Sequence, residues 1–209
     1  MADRKKGDSK IYFDKNKKVK REIRLIGIDD SPFIKKKSKE ILVLGTIHRG
    51  GEYLEGIIST YIEQDGENST SKISQMINKS RHKSQLQCIM LDGIAVGGFN
   101  VIDIKELADR TRLPVIVIIR YRPVMMNIEK ALANVKDHKK KLELIRKAGK
   151  VRTVKVGDGN IFFQVAGVSV IKAKEIIAVS VTNGHMPEPI RTAHIIAAGI
   201  VTGESKGRA

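Results

Sequence analysis

The chain has 209 residues, 39 Lys/Arg against 23 Asp/Glu, and a formal net charge of +16 at neutral pH; that length fits one domain, or one domain with a basic extension. Its 41% hydrophobic content suffices for a core, which must be largely aliphatic because aromatics make up 4% and Trp is absent. A single cysteine, Cys88, excludes an internal disulfide and a cysteine-based zinc site, and no apolar run approaches the ~20 residues of a membrane span.

The first 24 residues hold ten Lys/Arg and four Asp/Glu, with no apolar stretch of the kind a secretory signal needs. Residues 1–22 read as a flexible basic arm, and 23–203 as the folded domain. The expectation is a soluble protein of the reducing cytoplasm, with no membrane partner. A charge excess of this size favours phosphate polyanions through counterion release, so nucleic acid is the expected partner.

Strand one is predicted at 23–29 (Ile-Arg-Leu-Ile-Gly-Ile-Asp), followed by Asp30 and the breaker Ser31-Pro32. Lys35, Lys36 and Lys37 fall in the next loop. Residues 41–47 and 53–63 read as strands two and three. His48-Arg49-Gly50-Gly51 between them is either an anion-binding loop or a hairpin turn. A helix is predicted over 71–79, strand four over 86–91, a helix over 100–110 and strand five over 115–119, whose continuous Val/Ile run suits burial on both faces. One long helix is expected over 127–147. Its Lys139-Lys140-Lys141 is either a solvated face or part of a phosphate track. Short strands follow at 151–156 and 161–166, then helices at 169–181 and 189–201, the last opened by Pro187-Glu188-Pro189. Three leading strands and then alternating helices and strands give an α/β fold: a mixed sheet with helices on both faces.

Two of these strands end in a carboxylate: Asp29 closes the first, and Asp92 the fourth. Open α/β sheets build their sites beyond the carboxyl ends of the strands, and one or two carboxylates there suit a hard divalent cation such as Mg²⁺ or Mn²⁺. Successive strand residues face opposite ways, so Asp29 is assigned to the site and Asp30 to capping the turn. Arg120 and Arg122, just past strand five, lie where they would contact phosphate. Tyr121 is a candidate for stacking on a base. His185 and His194 offer no metal-ligand spacing with each other and read as structural.

The strand order resembles that of the ribonuclease H-like fold. Ile26-Gly27-Ile28-Asp29, Leu91-Asp92-Gly93 and Pro187-Glu188-Pro189-Ile190-Arg191-Thr192-Ala193 resemble, in order, three segments of endonuclease V. A closer resemblance, running from about residue 23 to 200, is to an uncharacterised archaeal family related to endonuclease V. It is carried by Leu91-Asp92-Gly93, Gly98-Phe99-Asn100-Val101, Leu113 through Val117, and Pro187 through Ala198. The resemblance implies a ribonuclease H-like fold, Asp29 and Asp92 as metal-binding and catalytic residues, and hydrolysis of a phosphodiester near a deaminated base. Lys35, Lys36, Lys37, Arg49, Arg120, Arg122 and Arg191 would be nucleic-acid contacts.

The sequence also departs from endonuclease V. The His-Gly after that enzyme's strand-four Asp-Gly is replaced by Ile94-Ala95. Its late-helix carboxylate falls at Ile171-Lys172, with Glu175 about one turn on. Glu55 and Glu63 are the candidates for its strand-three glutamate. Two functions stay open from sequence: a metal-dependent endonuclease, and a non-catalytic nucleic-acid or ribonucleoprotein binder with a degenerate site.

Overall fold

The structure, a computed structural model, describes residues 10–34, 39–157 and 159–206. Lys35, Lys36 and Lys37 and the first nine residues of the basic arm lie outside them. β1 (Arg24–Asp30), β2 (Glu40–Arg49) and β3 (Tyr53–Glu63) form an antiparallel meander. β4 (Cys88–Asp92) and β7 (Val115–Ile119) add to β1 in parallel. β8 (Arg152–Val156) and β9 (Gly159–Ala166) form a hairpin that joins through β9, antiparallel to β7. The seven-stranded order is β3-β2-β1-β4-β7-β9-β8, the mixed sheet expected from sequence.

Strand alternation sorts the core into two layers. Ile26, Ile28, Ile89, Leu91, Val115 and Val117 face one side, under α1 (Ser69–Lys79) and α2 (Ile104–Thr111). Leu25, Cys88, Met90, Ile116 and Ile118 face the other, under α5 (Val170–Ser180) and the start of α6 (Glu188–Thr202). Burial pushes the Cys88 thiol pKa up, which makes it a packing residue rather than a nucleophile.

Three segments differ from the sequence expectation. Asn100-Val101 is a strand, β6, paired with β5 (Ala95–Val96), so the helix starts only at Ile104, where Asp103 caps it by accepting from the backbone N–H groups of Lys105 and Glu106. The long helix of 127–147 is two, α3 (Met125–Leu132) and α4 (His138–Lys147), broken where Asp137 takes a positive φ. The break lets Leu132 and Ile145 turn onto one shared apolar cluster with Val101. In the arm, residues 10–22 form no helix or strand, yet Phe13 and Val19 are buried, and the Tyr12 and Phe13 backbone N–H groups donate to the Gly167 carbonyl.

Candidate metal centre

Asp29, Asp92 and Arg120 come from three adjacent parallel strands or their immediate extensions. By alternation, Asp29 lies on the same face as Leu25, Asp92 on that of Cys88 and Met90, and Arg120 on that of Ile116 and Ile118. All three therefore meet under α6. Asp92 stands at the strand end because Gly93 follows with φ of +79°, a turn that a residue with a side chain makes only under strain, and the Gly93 N–H donates to the Ile118 carbonyl.

A residue outside the sequence-derived set completes the site. His194, on the second turn of α6, has its Nδ1 at 2.8 Å from Asp29 Oδ2. Asp29, Asp92 and His194 each offer a ligand atom, and these atoms all lie within 4.8 Å of one another. The sequence signal for His194 is its neighbours: Ala193 and Ala197 pack on Leu44, so the small-residue face of α6 lies on the sheet. How α6 is seated explains the rest. Gly27 has no side chain, and a Cβ there would lie 2.2 Å from the Pro189 carbonyl carbon and 2.5 Å from the Ile190 nitrogen. Thr46 Oγ1 donates to the Pro189 carbonyl at 2.5 Å. The Gly27 and Pro-Glu-Pro segments are thus two halves of one contact, and it delivers His194 to Asp29.

The charges are balanced inside the site. Asp29 is 5% exposed; burial and then the nearby Asp92 charge raise its pKa, while the hydrogen bond to His194 opposes that rise. His194 is raised in turn, chiefly by its bond to Asp29. Arg120 donates to Asp92 Oδ2 at 2.8 Å. Asp30 points to the opposite face. Burial followed by the Asp29 charge pushes its pKa up to about 7, with the Gly97 backbone opposing that rise.

The other residues expected at the site fall elsewhere. Arg49 pairs with Arg24 in the β1–β2 register, five residues from Asp29 and so roughly 16 Å away at the opposite end of the sheet. There it donates through Nε to Glu55 at 2.8 Å, as Arg24 does. The antiparallel turn of β2 forces this, and it removes Glu55 from the site as well. His48-Arg49-Gly50-Gly51 closes β2 and enters the hairpin turn at residues 50–52 that leads into β3. Glu63 stands at the correct sheet end but two strands from Asp29, and it is exposed. Arg191 is bound to Glu188 through Nε at 2.8 Å, one turn before His194. Glu175 is paired with Lys172, and Ile171 is 72% exposed. Arg122 is exposed, two residues past Arg120 in the chain. His185 Nδ1 lies 3.3 Å from the Val156 carbonyl. In the Lys139–Lys141 run, Lys141 is buried and donates to the carbonyls of Asp65, Gly66 and Phe99 at 2.7, 2.7 and 3.0 Å. It is a clamp between loops rather than part of a phosphate track.

Two carboxylates and an imidazole fit a divalent cation that accepts mixed oxygen and nitrogen ligands, Mn²⁺ more readily than Mg²⁺. The raised Asp29 pKa agrees with this, because a cation would offset the burial of its carboxylate and its repulsion with the half-buried Asp92.

Comparison with known proteins gives a consistent setting. The family model for endonuclease dU matches residues 21–201. A UPF0215 protein from Methanothermobacter thermautotrophicus is 44% identical over 194 residues, covering 92% of this chain and 95% of its own. The crystal structure of a protein of unknown function from Archaeoglobus fulgidus overlays with a TM-score of 0.77 at 34% identity, over 86% of this chain and 98% of that one. Endonuclease V from Ciona intestinalis, in complex with a 24mer DNA containing an inosine followed by a ribo-adenosine, overlays with a TM-score of 0.52 at 15% identity, over 82% of each chain. At that identity the likeness is one of fold, and the fold is ribonuclease H-like. Among the described residues, no helix is long and apolar enough to cross a membrane.

Proposed function

Since the chain belongs to the endonuclease dU family, we propose that it is a divalent-metal-dependent endonuclease, hydrolysing a phosphodiester next to a deaminated base, deoxyuridine or inosine, in nucleic acid. The observation that carries this reading is the convergence of Asp29, Asp92 and His194 within 4.8 Å at the carboxyl ends of adjacent parallel strands. Asp29, Asp92 and His194 would hold the cation, Mn²⁺ or Mg²⁺. When bound, such an ion lowers the pKa of a water and neutralises charge on the phosphoryl oxygens.

The chain's own residues supply the rest. Arg120 holds Asp92 in place through its 2.8 Å bond to Oδ2, and a guanidinium charge there suits a phosphate oxygen. His194 shares a proton with Asp29 through Nδ1. That proton must leave if both atoms ligate a cation, so metal uptake should release protons and weaken as pH falls. Arg122, exposed just past Arg120, adds positive charge at the mouth.

One observation favours the second reading, a nucleic-acid or ribonucleoprotein binder that does not cut: His194 and Arg120 already compensate both carboxylates. Labelled strands carrying deoxyuridine, inosine or undamaged bases, incubated with Mn²⁺ or Mg²⁺, separate the two. The nuclease reading expects metal-dependent cleavage that falls on the order of 100-fold or more in Asp29→Asn and in Asp92→Asn. Absence of metal-dependent cleavage, or cleavage unchanged in both variants, overturns it in favour of the binder.

A further inference from the structure

The segment that follows Arg120 leaves large apolar groups in water. Tyr121 is 84% exposed, Val124 54%, Met125 39% and Met126 62%. Only Leu132 of α3 is buried, so the start of that helix contributes to the surface rather than to the core. This patch follows directly on the metal centre, since Arg120 is bonded to Asp92 and Tyr121 is the next residue in the chain. The sequence there is Arg120-Tyr121-Arg122, an aromatic ring flanked by two cations.

Building on the endonuclease reading, we propose that Tyr121, with Val124 and Met126 beside it, is a stacking platform for an unpaired base of the strand whose phosphate enters the site. A base offers an apolar face joined to an anion, and the patch offers an apolar face joined to Arg120 and Arg122, so shape and charge match one ligand. A protein partner is the poorer fit, because a stable protein interface needs about 20 residues a side, whereas this patch is four apolar side chains between cations. Stacking on a flat ring also tolerates any base, so Tyr121 would add affinity for unpaired strand without choosing the damaged base itself.

The test is fluorescence anisotropy of a labelled single strand with the full chain in EDTA, where no cleavage competes. Tyr121→Ala removes a side chain in solvent and leaves the core intact. It is expected to weaken binding about 5- to 150-fold, the span of a single stacked base, while Tyr121→Phe binds as wild type. On a strand with abasic residues replacing the deaminated base and both neighbours, the Ala variant and wild type should bind equally. Unchanged affinity of Tyr121→Ala on the intact strand would overturn the platform, as would an equal loss on the abasic strand. A change in oligomeric state in place of a binding loss would do so too, marking the patch as a contact with a second copy. The platform and the nuclease fail separately: base-dependent binding without cleavage sinks only the nuclease, and metal-dependent cleavage indifferent to Tyr121→Ala sinks only the platform.

Discussion

Gly27→Ala is the most informative small change in this protein, because a single methyl group would separate α6 from β1. The added Cβ would sit 2.2 Å from the Pro189 carbonyl carbon, 2.4 Å from its oxygen and 2.5 Å from the Ile190 nitrogen. All three are backbone atoms, so no rotamer change relieves the clash. Carbon contacts are comfortable near 3.5 Å or more, and the start of α6 would have to retreat by about 1 Å. That strains the Thr46 bond to Pro189, worth ~1 kcal/mol, and overpacking in a filled core adds ~1–3 kcal/mol. The sum, ~2–4 kcal/mol, should appear as a lower midpoint in urea denaturation with an unchanged slope. The same displacement moves His194 away from Asp29, now 2.8 Å apart, so Mn²⁺ affinity measured by calorimetry should fall as well. A Gly27→Ala protein with wild-type stability and wild-type Mn²⁺ affinity would refute the claim that this contact seats α6 over the site.

Two further outcomes follow from buried polar groups. His48 is 4% exposed, neither ring nitrogen has a hydrogen-bond partner among the described residues, and burial pushes its pKa down to about 4, with Glu188 opposing and Arg191 reinforcing that shift. A histidine whose folded pKa lies below its unfolded value binds fewer protons when folded, so stability is lost as pH falls from about 6.5 to about 4. The full shift corresponds to ~3 kcal/mol, and solvent screening reduces it to on the order of 2 kcal/mol. Asp30 acts in the opposite sense over much of the same window, so the check is the difference between wild type and His48→Leu. The variant should lose less stability than wild type between pH 7 and pH 4, and parallel curves would contradict the assignment. Lys141→Met removes three charge-assisted bonds to the carbonyls of Asp65, Gly66 and Phe99. Even after crediting the relief of a desolvated ammonium, it should cost ~2–3 kcal/mol in denaturation; a loss below about 1 kcal/mol would rule out the clamp.

The parts of the fold legible in sequence were those with local periodicity. The three leading strands, the Asp-ended β1 and β4, and the Val/Ile run of β7 each announce themselves within a few residues. Asp29, Asp92 and Arg120 followed because a strand fixes which of its residues share a face. His194 did not follow, because its place depends on how α6 docks, and that is set by Gly27 on a strand more than 150 residues earlier. Arg49 lies apart from the aspartates for a simpler reason: in a meander the second strand runs back, so its last residue lies at the far end of the sheet from Asp29. Lys141 sits in a run of three lysines, and composition cannot distinguish the one that turns inward to bind carbonyls. The break between α3 and α4 was hidden because residues 133–137 contain neither Gly nor Pro; the two helices separate to reach a common apolar cluster.

The most direct measurement of the metal centre is electron paramagnetic resonance of the full chain titrated with Mn²⁺, with pulsed detection of nitrogen coupling. One bound Mn²⁺ per chain is expected, coupled to a single imidazole nitrogen. The coupling should vanish in His194→Gln, and binding should collapse in Asp29→Asn and Asp92→Asn. No specific binding, or binding that survives both aspartate substitutions unchanged, would contradict a cation held by Asp29, Asp92 and His194.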